Sequence, residues 1–149
     1  MPFQASRRTY TYDANMLFKD AGLIAASAAA QVSGSNRIIT VGDTFIKAVM
    51  QIDVTAVEIG TGNEKFGLLV QGSTSATFAS VIETLAALDL GAASSGRWGS
   101  AQDSVVGRYE LPFMNVQAGV QYPYLRMYTF VSGTIATGIN YSAWAGLDC

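Results

Sequence analysis

A chain of 149 residues is about the size of one domain, long enough for a single sizeable core and too short for two. Half of its residues are hydrophobic and 13% are charged, against roughly a quarter charged in an ordinary globular domain. A surface so sparsely ionised is expected to lie in good part against other protein, with Ser, Thr, Asn, Gln and Gly as the alternative source of solvation.

The net charge of −2 argues against nucleic acid as the main ligand, because phosphate neutralisation needs clustered Lys and Arg and only Arg7 and Arg8 stand together. No apolar run approaches the length of about 18 residues needed to span a bilayer. In MPFQASRRTY the basic pair follows the apolar residues, so no secretory signal is expected. Cys149 is the only cysteine, which excludes an internal disulfide or a thiolate metal cage within one chain.

Residues 1–12 read as an arm. Arg7 and Arg8 precede the alternating Thr9, Tyr10, Thr11 and Tyr12, a pattern that pairs as a strand when offered an edge but has little core of its own. Asp13 is an N-cap candidate for a short helical turn through ANMLFKDAG ending at Gly22. The run from Leu23 to Gln31 is expected to be a first extended strand, with Ala propensity for helix as the competing reading, and SGSN after it is a turn. Arg37–Val41 is a short β-branched piece. From Phe45 to Val57, Met50, Ile52 and Val54 alternate with Val49, Gln51 and Asp53, the period of a half-buried strand. Gly60 to Asn63 reads as a hairpin connection to the apolar strand Lys65–Gln71.

The segment GSTSATFAS that follows has little bulk for a core. Val81–Leu90 fits both helical and strand periods, and its strand neighbours and terminal Gly91 favour strand. Gly91 to Asp103 is a long Gly/Ser-rich connection carrying Arg97 and Trp98; a loop of this length usually has a role. Trp98 is either a cap on the core or an interface anchor. Val105–Leu111, Tyr124–Val131 and Thr137–Leu147 are strands. In the second of these, Tyr124, Arg126, Tyr128 and Phe130 share one face, and Leu125, Met127, Thr129 and Val131 the other. Both faces are largely apolar, so the strand either lies between two layers or presents one face to a partner. In the last, Ile139, Tyr141, Ala143 and Ala145 form the core face. About eight antiparallel strands without a long helix make an all-β two-sheet sandwich or barrel, best fitted by a jelly roll over 13–149 behind the arm.

Catalytic chemistry finds little support. Without histidine there is no Ser-His-Asp, Cys-His or imidazole metal site. Asp53, Glu58, Glu64, Glu83, Asp89 and Glu110 do not show calcium-loop spacing and read as solvated strand and loop ends. No phosphate-cradling glycine motif is present. A non-enzymatic protein without cofactor or metal is expected.

Four segments together resemble the small cement, or decoration, proteins of tailed-bacteriophage capsids: YDANMLFKDA at Tyr12–Ala21, MQIDV at Met50–Val54, LLVQGSTSATF at Leu68–Phe78, and RYELPF with GVQYPYLRMYTFVSG between Arg108 and Gly133. The resemblance covers the chain from about Asp13 onward and departs in the arm, Met1–Tyr12, and in the loop Gly91–Asp103. It implies a jelly roll, commonly a homotrimer, bound to the outside of the virion where major capsid proteins meet, made in the host cytoplasm, and without catalytic or cofactor residues. The expected contacts are Arg7, Arg8, Tyr10 and Tyr12, through strand addition by the arm, then Trp98, Tyr122 and Tyr124, with core packing the favoured role for Tyr124. A carbohydrate-binding module that stacks sugars on Trp98, Tyr122 and Tyr124 is the alternative; a carboxylate-dependent sandwich hydrolase comes third.

Overall fold

The computed structural model describes residues 10–93 and 102–147. They form two five-stranded sheets and two small hairpins, with antiparallel pairing throughout. The first sheet runs β1 (Leu17–Lys19), β14 (Ile139–Leu147), β7 (Lys47–Val57) and β10 (Gly107–Met114), with β2 (Leu23–Ile24) also on β14. The second runs β3 (Ala28–Ala29), β13 (Tyr124–Ser132), β8 (Lys65–Ser73) and β9 (Ile82–Gly91), with β6 (Ile39–Thr40) also on β13. The hairpins are β4 (Gln31–Val32) with β5 (Ser35–Asn36), and β11 (Val116–Gln117) with β12 (Val120–Gln121). Among the described residues there is no α-helix, and the fold is an all-β antiparallel sandwich.

The core is made by alternate residues of facing strands. From the first sheet come Met50, Ile52, Val54, Ile139, Tyr141, Ala143 and Ala145, and from the second Phe66, Leu68, Val70, Leu90, Leu125 and Met127. The period-two pattern of β7 and β14 places these residues as expected from sequence, since strand side chains point alternately to opposite faces. The ambiguous segment before Gly91 is β9, paired along β8 with a register shift between Val70 and Gln71. Burial of Leu90 and half-burial of Leu88 and Ala86 decide in favour of the strand period.

Three expectations change. The turn after Asp13 is a single 3₁₀ turn, Ala14–Met16, with Asp13 Oδ1 accepting the Asn15 N–H at 2.9 Å. It stops before Gly22 because Phe18 is buried and its neighbours Leu17 and Lys19 pair with Trp144 and Ala143. Leu23–Gln31 is not one strand: Leu23 and Ile24 join the first sheet, Ala28 and Ala29 the second. Gln31 then opens a hairpin whose turn residues Ser33 and Gly34 have φ of 53° and 78°, both in the left-handed region that a tight two-residue turn needs.

Gly60–Asn63 does not make a hairpin either, because β7 and β8 belong to different sheets. The buried Glu64 side chain turns the chain, accepting the N–H of Thr61 at 2.6 Å and of Gly62 at 3.0 Å. The β13–β14 loop crosses between sheets beside it. Asn63 binds Thr134 twice, at 3.0 and 3.1 Å. Glu58 accepts the N–H groups of Ala136, Thr137 and Gly138 at 2.5–3.0 Å. Both crossings at this end are thus held by carboxylates filling backbone nests.

Candidate functional site

Tyr10 and Tyr12, from the described end of the arm, lie on the outer face of the first sheet. On it Trp144 stands between Gln51 of β7 and Leu17 of β1. The Tyr12 ring meets Trp144 edge-on with centroids 5.6 Å apart, and the Arg108 guanidinium lies 5.8 Å from the same ring centre. Arg108 is itself held by two bonds to Asp53, at 2.6 and 2.9 Å, in the bidentate geometry that a planar fork favours. Next to them Gln51 Nε2 donates to Glu110 at 3.1 Å. Tyr10 completes the cover: a Cβ on Gly146 would stand 2.5 Å from the Tyr10 ring, so only glycine lets it lie flat on β14.

The outer face of the second sheet is built differently. Arg126 projects between Tyr124 and Tyr128 of β13, beside Gln71 of β8, because alternate residues of a strand share a face. Its Nε donates to Gln71 Oε1 at 2.9 Å. The guanidinium lies 4.4 Å from the ring centre of Phe78 and 5.3 Å from that of Tyr128. Phe78 comes from the loop after β8, with φ of 56°, and is buried. The lone aromatic of the small polar GSTSATFAS segment therefore serves as a cap over Arg126. Burial lowers the Arg126 pKa below its ordinary value. Phe130 extends the same face and is 43% exposed.

Of the residues expected to make contacts, the structure brings Tyr10 and Tyr12 together on the first sheet. Arg7, Arg8 and Trp98 lie outside the described residues, as does Cys149. Tyr122 is 5% exposed and packs over Gly72, where a Cβ would come within 2.8 Å of its own. Its N–H donates to Asn115 O at 2.8 Å. Tyr124 is half-buried and on the outer face, not in the core. A sugar-stacking platform over Tyr122 and Tyr124 is therefore not assembled, because one of the two rings is inside.

Most of the described carboxylates hold the fold. Asp53 binds Arg108, Glu83 accepts from Gln117 at 3.0 Å, and Glu110 accepts from Gln51. Bonds from Ala136, Gly138 and Thr137 lower the Glu58 pKa to about 2. Burial works to raise Glu64, yet the donors of Thr61 and Gly62 outweigh it and the carboxyl ends below its usual value. Among the described residues no cluster of three or more His, Cys, Asp or Glu could hold a metal, and no helix is long and apolar enough to cross a membrane.

Two clefts remain. One of about 270 Å³ opens between β9 and β10, lined by Lys47, Leu85, Pro112, Phe113 and Met114. The other, about 300 Å³, lies beside Lys19. The Lys19 Nζ donates to the carbonyls of Asp20, Gly22 and Tyr141 at 2.9, 3.1 and 2.7 Å and sits 4.5 Å from the Tyr141 ring centre. Burial pulls its pKa down to about 8 against the opposing charge of Asp20. Its donors are all in use as a clamp between β1, the loop after it and β14. Lys19 carried no signal in the sequence, while Glu58 and Glu64, read there as solvated ends, instead fill backbone nests, and Glu64 is buried.

No protein-family model matches the chain, and no curated protein matches it in sequence.

Proposed function

We propose that this chain is a cement, or decoration, protein of a tailed-bacteriophage capsid: a jelly-roll unit, assembled as a homotrimer, that binds the outer surface of the shell where major capsid proteins meet. One observation carries the reading most directly. Most of the described carboxylates, among them Asp53, Glu58, Glu64, Glu83 and Glu110, serve as internal acceptors, while large apolar side chains such as Phe45, Val81, Val105, Val106 and Phe130 stay between 43% and 68% exposed. A surface with this balance gains by being covered. The segment resemblance supports the same reading independently.

A protein of this kind acts by burying area across subunit junctions, and a modest contribution at each junction is multiplied by symmetric copies. No reacting group is required. Synthesis in the host cytoplasm and residence on the virion exterior go with the reading.

Shells assembled from the major capsid protein, imaged with and without this chain, test it. Added density outside the shell at capsomer junctions and a raised disassembly temperature are expected. Shells that leave the protein in the supernatant would overturn the reading. Mass measurement of the free protein tests the homotrimer.

A further inference from the structure

We propose that the outer face of the second sheet, centred on Arg126, is the surface that seats the partner, and that it captures a carboxylate flanked by apolar side chains on that partner protein. Taking the partner to be the capsid shell rests on the function proposed above.

The described arginines differ in what satisfies them. Arg108 has the carboxylate of Asp53. Arg37 donates to the carbonyls of Leu17, Ala14 and Asn15. Arg126 has the amide oxygen of Gln71 and two aromatic rings, and among the described residues no carboxylate forms an ion pair with it. Apart from Nε, the N–H donors of the guanidinium have no protein partner among the described residues and are not buried, so they stay open to an acceptor from outside. Here it is also held still, because Phe78, Tyr128 and Gln71 fix the plane of the fork. Such an arginine is preorganised to accept a carboxylate in two parallel bonds.

The surroundings fit the same partner. Phe130 and the half-buried Leu69, Tyr124 and Tyr128 share the face, giving an Arg and aromatic centre of the kind that dominates interface energetics. The opposite sheet differs: Tyr10 and Tyr12 lie on it and its Arg108 already has a carboxylate partner in Asp53.

The full chain, added to shells that lack it and followed by co-sedimentation, decides the matter together with R126Q, F130S and the first-sheet control L23S. Far-UV circular dichroism and thermal melting establish that each variant folds. R126Q and F130S are expected to weaken shell binding by about tenfold or more, with L23S close to the parent. Raising salt should weaken the parent more than R126Q, because a charge pair is screened. R126K, which keeps the charge but loses the flat fork, should fall between them. If the parent binds and the second-sheet variants bind equally well, the assigned face is wrong while the capsid role stands. A parent that does not bind overturns both. If R126Q instead breaks up a homo-oligomer in the free protein, a second copy of this chain occupies the face and the proposal fails.

Discussion

Thr129 Oγ1 and Tyr141 Oη lie 2.5 Å apart in the middle of the sandwich, one from each sheet, forming a polar bond across an otherwise apolar core. Both residues are fully buried. Burial, only partly opposed by this bond, pushes the Tyr141 hydroxyl above its ordinary pKa, so it remains neutral. The pair fixes how β13 of the second sheet lies over β14 of the first.

Removing one partner is therefore expected to cost more than removing both. Tyr141→Phe leaves the Thr129 hydroxyl buried without its partner and should destabilise by about 1–3 kcal/mol. Adding Thr129→Val to that variant should recover part of the loss, because no polar group is then left stranded. Chemical denaturation of both single variants and the double variant measures the coupling; additive losses would show that the bond contributes nothing of its own.

Lys19 gives the molecule an alkaline dependence. Its pKa is lowered from 10.5 to about 8 on folding, so between these values the unfolded chain binds more protons than the folded one. Stability should then rise with pH from about 8, up to the range near 10 where tyrosines begin to ionise. Thermal melts across that window should show the rise. In Lys19→Met the rise disappears, and stability at neutral pH falls by roughly 1–3 kcal/mol because buried carbonyls lose their donor.

Glu58 acts at the other end of the scale. Its carboxylate takes the N–H groups of Ala136, Thr137 and Gly138 and titrates at about 2, below the ordinary value of 4.5. The bonds hold the β13–β14 crossing fully above the ordinary carboxylate value and are lost as pH falls through the folded one. Amide exchange at residues 136–138 should be slow at neutral pH, even though the loop is largely exposed. Glu58→Gln should speed exchange selectively at these amides; an unchanged pattern would mean that the nest does not restrain the loop.

What could be read from the sequence was the part governed by strand period. Met50, Ile52 and Val54, and Ile139, Tyr141, Ala143 and Ala145, fell on the core face because alternation in a half-buried strand is a local property. Sheet membership is not local. Gly60–Asn63 has the composition of a hairpin turn, yet its outcome depends on Glu64 and on the neighbouring Asn63–Thr134 bonds. Leu23–Gln31 is apolar and small enough to pair with either sheet, and it does both. Tyr122 and Tyr124, two residues apart across Pro123, were expected at a contact and in the core respectively, and the structure reverses them. Only the packing of Tyr122 on Gly72 separates a buried ring from an outer one. Arg126 was grouped with Tyr124, Tyr128 and Phe130 on one strand face, but its aromatic cap arrives from Phe78, in a segment read as having little bulk for a core.

The arm itself can be tested through Gly146. The Tyr10 ring occupies the space that any side chain there would need, with a Cβ falling 2.5 Å from it, and Tyr12 covers Trp144 on the same sheet. Gly146→Val should therefore displace Tyr10 and loosen Tyr12 over Trp144, while the core on the opposite face of β14 keeps its packing. In a Trp98→Phe background, which leaves Trp144 as the sole indole, displacement should appear as a red-shifted emission and greater access to a soluble quencher. Tyr10→Phe gives the converse result: the Tyr10 hydroxyl is buried with no hydrogen-bond partner among the described residues, so its removal should leave stability equal or slightly higher. If Gly146→Val leaves Trp144 emission and quenching unchanged, the arm does not cover the first sheet in solution, and both outer faces would then be open to partners.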